Sequence, residues 1–208
     1  MKKRLSKVAK RKEPLQSRSK DTFEKILNVT EELLDEIGLD RLTTVLIAGK
    51  ARMSVGTVYE YFPNKHAILF ALASRWVEKM KQVMAANDVR SSEFVTWQEW
   101  CEGYIRSMVT LYSQEKGLVK YYDMLVSVLE LRELDLELDE VVVAYLSRSL
   151  LSFFPPLKTD DLEILNRMII TNMHNVLRFA VNMTDPQKQK MLNNLHFVIQ
   201  TLILKNAY

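Results

Sequence analysis

Cysteine occurs once in this 208-residue chain, at Cys101. An internal disulfide is excluded, so the fold must rest on its apolar core, which suits a reducing compartment. One thiol with no Cys partner gives no zinc-ligand pattern either. Glycine and proline are scarce, with five of each, while 48% of the residues are apolar. That balance excludes a disordered chain and favours a folded, mostly helical one. The longest uncharged apolar run, Met191–Leu204, contains two Asn and a His and falls short of the ~20 residues that span a bilayer. The basic N-terminus lacks the apolar core of a signal peptide, so a soluble, cytoplasmic protein without membrane contact is expected. Gly-rich phosphate loops and Glu-x-x-His pairs are missing too. His66, His174 and His196 lie far apart in sequence and read as packing or polar surface residues. No metal and no cofactor is expected, and Cys101 reads as an inert buried thiol.

The net charge of +3 is unevenly placed. Through Lys65 there are 14 Lys+Arg against 9 Asp+Glu, and the excess is densest in a tail, residues 1–16, expected to be unstructured. Two readings of this tail stand side by side: a solvated extension, or an arm adding phosphate contacts.

What the chain does contain is helical periodicity. Phe23, Ile26, Leu27, Thr30, Leu33, Leu34 and Ile37 recur at helical spacing from a start near Ser17 or Ser19, and Gly38 follows as a stop. Thr43 or Thr44 caps a short helix to about Ala51, with a turn at Arg52-Met53. Ser54 caps a second short helix ending near Phe62, where Pro63 breaks it. Ala48 is small where the two helices cross, and Val58 faces back onto the first. This spacing is that of a helix-turn-helix whose second helix projects into a DNA major groove. Asn64 then caps a connecting helix over 65–89.

The run Ile47-Ala48, Ala51, Ser54-Val55-Gly56-Thr57-Val58-Tyr59, Tyr61-Phe62 and Lys65, preceded by Gly38 and Thr44, resembles the N-terminal domain of the TetR family of transcriptional repressors. The likeness extends from Arg18 to Leu72. It implies that Thr44, Tyr59 and Lys65 contact phosphates and that Ser54, Val55, Gly56, Thr57 and Tyr61 lie near bases. Gly56 would let the backbone approach DNA closely, and Glu60 would accept from a cytosine amino group or pair with a lysine. The chain departs from the family at Arg52, where glycine is usual. If that position needs positive φ, a non-glycine residue costs about 1 kcal/mol. Arg52 either offsets this by reaching a phosphate, or the turn has another shape.

Beyond residue 90 the pattern is again helical. Thr96-Trp-Gln-Glu99 is a capping box, and Trp97, Trp100, Cys101, Tyr104, Met108 and Leu111 follow at helical spacing. Further helices are expected over about 117–134, 139–154, 160–183 and 186–206. The last two are apolar on more than one side, the final one through Met191, Leu195, Val198 and Leu202 and through Leu192, Ile199 and Ile203. Such helices need burial all round, which two subunits supply by forming a four-helix bundle. The expectation is an all-α protein of about nine helices. A helix-turn-helix domain spans 17–64, its recognition helix 54–62, and an effector-binding and dimerisation domain spans 90–208. Trp100, Tyr104, Met108, Tyr122, Ser147, Met168, Asn172 and Asn175 are candidates to line a largely apolar effector pocket. The function expected is a homodimeric repressor that binds a palindromic operator in double-stranded DNA and is released by a small molecule. An activator or partner-controlled regulator, and a helical enzyme or cargo protein, are the alternatives.

Overall fold

The computed structural model describes residues 17–90, 94–115, 117, 120, 124, 128–155 and 157–207. Among these there are eight helices and no strand, an all-α fold: α1 Ser17–Arg41, α2 Thr44–Lys50, α3 Val55–Tyr61, α4 Lys65–Ala86, α5 Trp97–Gln114, α6 Leu129–Phe153, α7 Thr159–Ala180 and α8 Asp185–Ala207. The basic tail and much of the helix expected from Gly117 fall outside the described residues. Contacts divide the chain into two compact units. One holds the described residues up to Val77 and those within 116–135; the other holds Glu78–Glu115 and Leu136 onward. No described helix is long and apolar enough to cross a membrane.

In the first unit, α1 buries Phe23, Ile26, Leu27, Leu33 and Leu34, the stripe read from the sequence. Gly38 breaks the helix with φ 75°, ψ 172°, a conformation glycine adopts without Cβ strain. Ile47, Ala48, Ala51, Val58 and Phe62 are fully buried, and the Phe62 ring lies 5.0 Å from that of Phe23. Arg75 of α4 clamps α1: one terminal nitrogen donates to Asn28 Oδ1 (2.6 Å), the other to Glu31 Oε2 (2.5 Å). Lys50 of α2 is paired with Glu32 and Glu36, which raises its pKa, the Glu36 bond contributing most.

In the second unit, α5 opens on the capping box. Glu99 N–H donates to Thr96 Oγ1, and Glu99 Oε2 accepts from Thr96 N–H. The buried line of α8 is Leu195, Ile199 and Ile203, while Phe197, Val198 and Leu204 are exposed. One expectation fails here. The sequence reading separated a helix ending near Leu134 from another starting near Asp139, yet α6 is continuous over Leu129–Phe153. Neither Gly nor Pro interrupts that stretch, and Leu138, Val142, Leu146 and Leu150 are buried at helical spacing.

Candidate nucleic-acid interface

The turn between α2 and α3 is a complete Schellman motif. Arg52 N–H donates to Gly49 O (3.1 Å) and Met53 N–H to Ala48 O (3.0 Å). The residue between those bonds must be left-handed, and Arg52 has φ 54°, the only positive value at a non-glycine residue among the described residues. The position is the one where glycine is cheapest, and the chain tolerates the strain with an exposed arginine. Of the two shapes left open by the sequence, this is the strained one.

The two threonines at the start of α2 divide the work. Thr43 caps the helix, its Oγ1 accepting from Leu46 N–H (3.2 Å). Thr44 is thereby released, and its hydroxyl lies 3.2 Å from the Tyr59 hydroxyl on α3. Two residues fifteen apart in sequence are so brought together on the outer side. Ser54 caps α3, accepting from Thr57 N–H (3.0 Å), and its Oγ lies 2.9 Å from Thr57 Oγ1. The helix stops at Phe62, extended at φ −133°, ψ 124°, because the following Pro63 disfavours helical geometry before it.

Arg52, Ser54, Gly56, Tyr59 and Glu60 are exposed, and Thr44, Val55 and Thr57 half-buried. A Cβ added at Gly56 would meet only Ser54 Oγ, at 3.5 Å, so nothing inside the protein requires glycine there. Tyr61 is placed differently: half-buried, its hydroxyl lies 3.3 Å from Ser19 Oγ of α1. Lys65 is half-buried with Nζ 3.4 Å from Leu39 O. Sequence reading passed over Val45 and Leu46, which are 63% and 44% exposed on α2. Their signal was two apolar residues directly after the cap.

In the second unit Trp100, Tyr104 and Met108 are buried on one side of α5. The Trp100 and Tyr104 rings stack at 6.2 Å, and Tyr145 stands 5.2 Å from Tyr104. Tyr145 donates to Asn87 O (3.0 Å) and accepts from Trp100 Nε1–H (3.3 Å), and burial pushes its pKa up to about 12. Cys101 is buried, and desolvation raises its thiol to about 12 as well. Ser147 is half-buried and accepts from Asn166 Nδ2 (2.7 Å). Asn166 Oδ1 is buried without a partner among the described residues. His174 is buried against the Tyr112 hydroxyl, and desolvation lowers its pKa to about 4.

The other candidates lie apart. Met168 and Asn175 are exposed on α7 rather than turned into the unit. Asn172 binds its own helix at Met168 O (2.8 Å), and Tyr122 lies outside the described residues. The missed residues, Tyr145 and Asn166, had a signal: a polar group at the spacing of buried leucines. A surface cleft of about 510 Å³ lined by Ile105, Arg106, Leu192 and His196 involves none of the candidates. No group of three or more His, Cys, Asp and Glu capable of holding a metal ion occurs among the described residues.

Capped α2, left-handed turn and capped α3 over a shared core define a helix-turn-helix protein. Comparison with known proteins places it more closely. Residues 26–72 match the sequence model of the bacterial regulatory proteins, tetR family. A Haemophilus influenzae protein named an uncharacterized HTH-type transcriptional regulator is 36% identical over 55 residues, which are 26% of this chain. The chain spans 29% of that relative's length. In fold, it is similar to a transcriptional regulator from Rhodococcus sp. Rha1 (TM-score 0.73, 14% identity, covering 89% of this chain and 98% of that one). It is also similar to the transcriptional regulator FadR from Bacillus subtilis in complex with stearoyl-CoA (TM-score 0.68, 23% identity, covering 87% and 97%).

Proposed function

We propose that the chain is a DNA-binding transcriptional regulator that acts as a homodimer, represses from a two-fold operator and is released by a small apolar ligand. The observation that carries DNA binding is the outward set Thr44, Arg52, Gly56 and Tyr59 around a rigid turn. Hydroxyls and a guanidinium suit phosphates, and a side-chain-free position suits close approach. Thr44, Tyr59 and Lys65 fix register, while Ser54, Val55 and Thr57 lie nearest base edges. Tyr61, tied to Ser19, acts by holding α3 in place.

Dimerisation is supported by a line of exposed residues on α7, Ile164, Met168, Thr171, Asn175 and Phe179, and another on α8, Phe197, Thr201 and Leu204. Both follow helical spacing, and apolar surface of this extent marks an interface. A two-fold pair would set its recognition helices in successive major grooves. Ligand release is supported by the aromatic cluster of Trp100, Tyr104 and Tyr145 and by the orphaned acceptor of Asn166. A ligand acts only through its different affinity for the two states of the regulator. The ligand named with FadR, stearoyl-CoA, makes long-chain acyl compounds the first class to test.

Gel-shift titration against the DNA upstream of its own gene, at several salt concentrations, tests this reading. Binding that prefers one site and weakens linearly in log salt is expected. Binding that neither prefers a site nor falls with salt would sink it. Adding acyl compounds to the bound complex then tests release.

A further inference from the structure

The groups that α3 turns outward are an unusual set for reading DNA. Over Val55–Tyr61 the sequence holds no Arg, Lys, Asn or Gln, the side chains that grip guanine or adenine with two hydrogen bonds. The hydroxyls of α3 are engaged within the protein: Thr57 with Ser54, Tyr59 with Thr44, Tyr61 with Ser19. Beside these hydroxyls, the surface offers an anion and hydrocarbon. Glu60 is exposed and forms no ion pair among the described residues. Val55 is half-buried, Thr57 has a methyl group beside its engaged hydroxyl, and Val45 on α2 stands next to Thr44 with 63% of its surface exposed.

We propose that this surface reads pyrimidines. Glu60 accepts a hydrogen bond from the N4 amino group of a cytosine, and Val45, Val55 and the Thr57 methyl pack against thymine C5-methyl groups. The proposal rests on the DNA-binding reading above. A carboxylate can only accept. Guanine offers it two acceptors in the major groove, and adenine sets an acceptor beside its donor, whereas cytosine offers a donor alone. Thymine is the base that carries a methyl group there. Glu60 also repels every nearby phosphate, which weakens non-specific binding and widens the ratio of specific to non-specific affinity.

Selection of bound sequences from a random duplex library, for the wild-type chain and Glu60→Gln, tests this. Single deoxyuridine-for-thymidine replacements in the selected site then remove one methyl group each. The expected half-site contains a cytosine whose replacement lowers affinity roughly tenfold. Glu60→Gln moves that position towards adenine, which an amide pairs at N6 and N7, and strengthens non-specific binding. At least one deoxyuridine lowers affinity several-fold, and Val45→Ala or Val55→Ala abolishes that difference. Val45 and Glu60 are exposed, and unchanged thermal melts identify variants that remain folded. A selected site indifferent to Glu60 overturns the cytosine assignment, and indifference to deoxyuridine overturns the thymine assignment; DNA binding stands in both cases. Recovery of no preferred sequence, with no salt-dependent binding, overturns both readings together.

Discussion

Arg52 occupies a left-handed position where glycine would be unstrained, and Gly56 occupies a helical position where alanine would be better. Each therefore has a stability effect separable from its proposed role at DNA. Gly56→Ala gains helix propensity, reduced at the first turn to about 0.5 kcal/mol, because its Cβ meets only Ser54 Oγ at 3.5 Å. The variant is expected to melt at or slightly above the wild-type temperature while binding the operator more weakly. A parallel loss of both would show that Gly56 serves the fold. Arg52→Gly relieves about 1 kcal/mol of backbone strain but frees the unfolded chain by a comparable ~0.5–1 kcal/mol. Its unfolding midpoint in urea should lie near that of the wild type. Its DNA affinity should fall, with the slope of log affinity against log salt shallower by about one. An unchanged slope would remove Arg52 from the phosphate contacts. The sequence left this conformation open, since an arginine in a turn fits either shape, and the left-handed φ of 54° became visible only with the two backbone hydrogen bonds that close the turn.

At the scale of the helices, the contact of α5 with α7 carries a pH dependence. His174 is buried against Tyr112, and desolvation lowers its pKa to about 4 from the 6.5 of an exposed imidazole. The unfolded chain thus binds one more proton than the folded chain between those values. Stability from this group is complete above pH 6.5, is lost as pH falls below it, and levels off near pH 4. From pH 7 to pH 5 the loss is about 2 kcal/mol. His174→Gln, uncharged throughout, should show a smaller drop in melting temperature over that interval, even if it melts lower at pH 7. An equal drop would place the acid sensitivity elsewhere. Helix boundaries set by Gly38, Thr96 and Pro63 were readable because each breaks or caps the chain for a local reason. The α6 boundary was not. Leucines alternate with acids over 129–139, a pattern with no local stop, and continuity there depends on what Leu138 and Val142 pack against.

For the whole molecule, the proposed dimer sets the remaining expectation. Phe197 is 70% exposed on α8, so Phe197→Glu leaves the core of the subunit untouched while placing a charge in the proposed interface. Sedimentation should then detect a monomer with wild-type circular dichroism, and operator affinity should collapse with the loss of two-site binding. A dimer of unchanged mass would move the interface off this face. Two apolar stripes of α8 were visible in the sequence, but the buried side takes Leu195 from one and Ile199 and Ile203 from the other. Only packing against α5 and α7 decides that. The effector candidates were less legible still, since an exposed methionine such as Met168 and a buried one such as Met108 look alike in sequence. The Thr44–Tyr59 pair adds a thermodynamic consequence for the assembly. The bond to Thr44 restrains each phenol, so in the proposed complex it would surrender less freedom on docking than a mobile side chain, which loses about 0.5–1.5 kcal/mol. In a two-fold complex that saving occurs twice, and calorimetry on Thr44→Val should register it as a less favourable entropy of association.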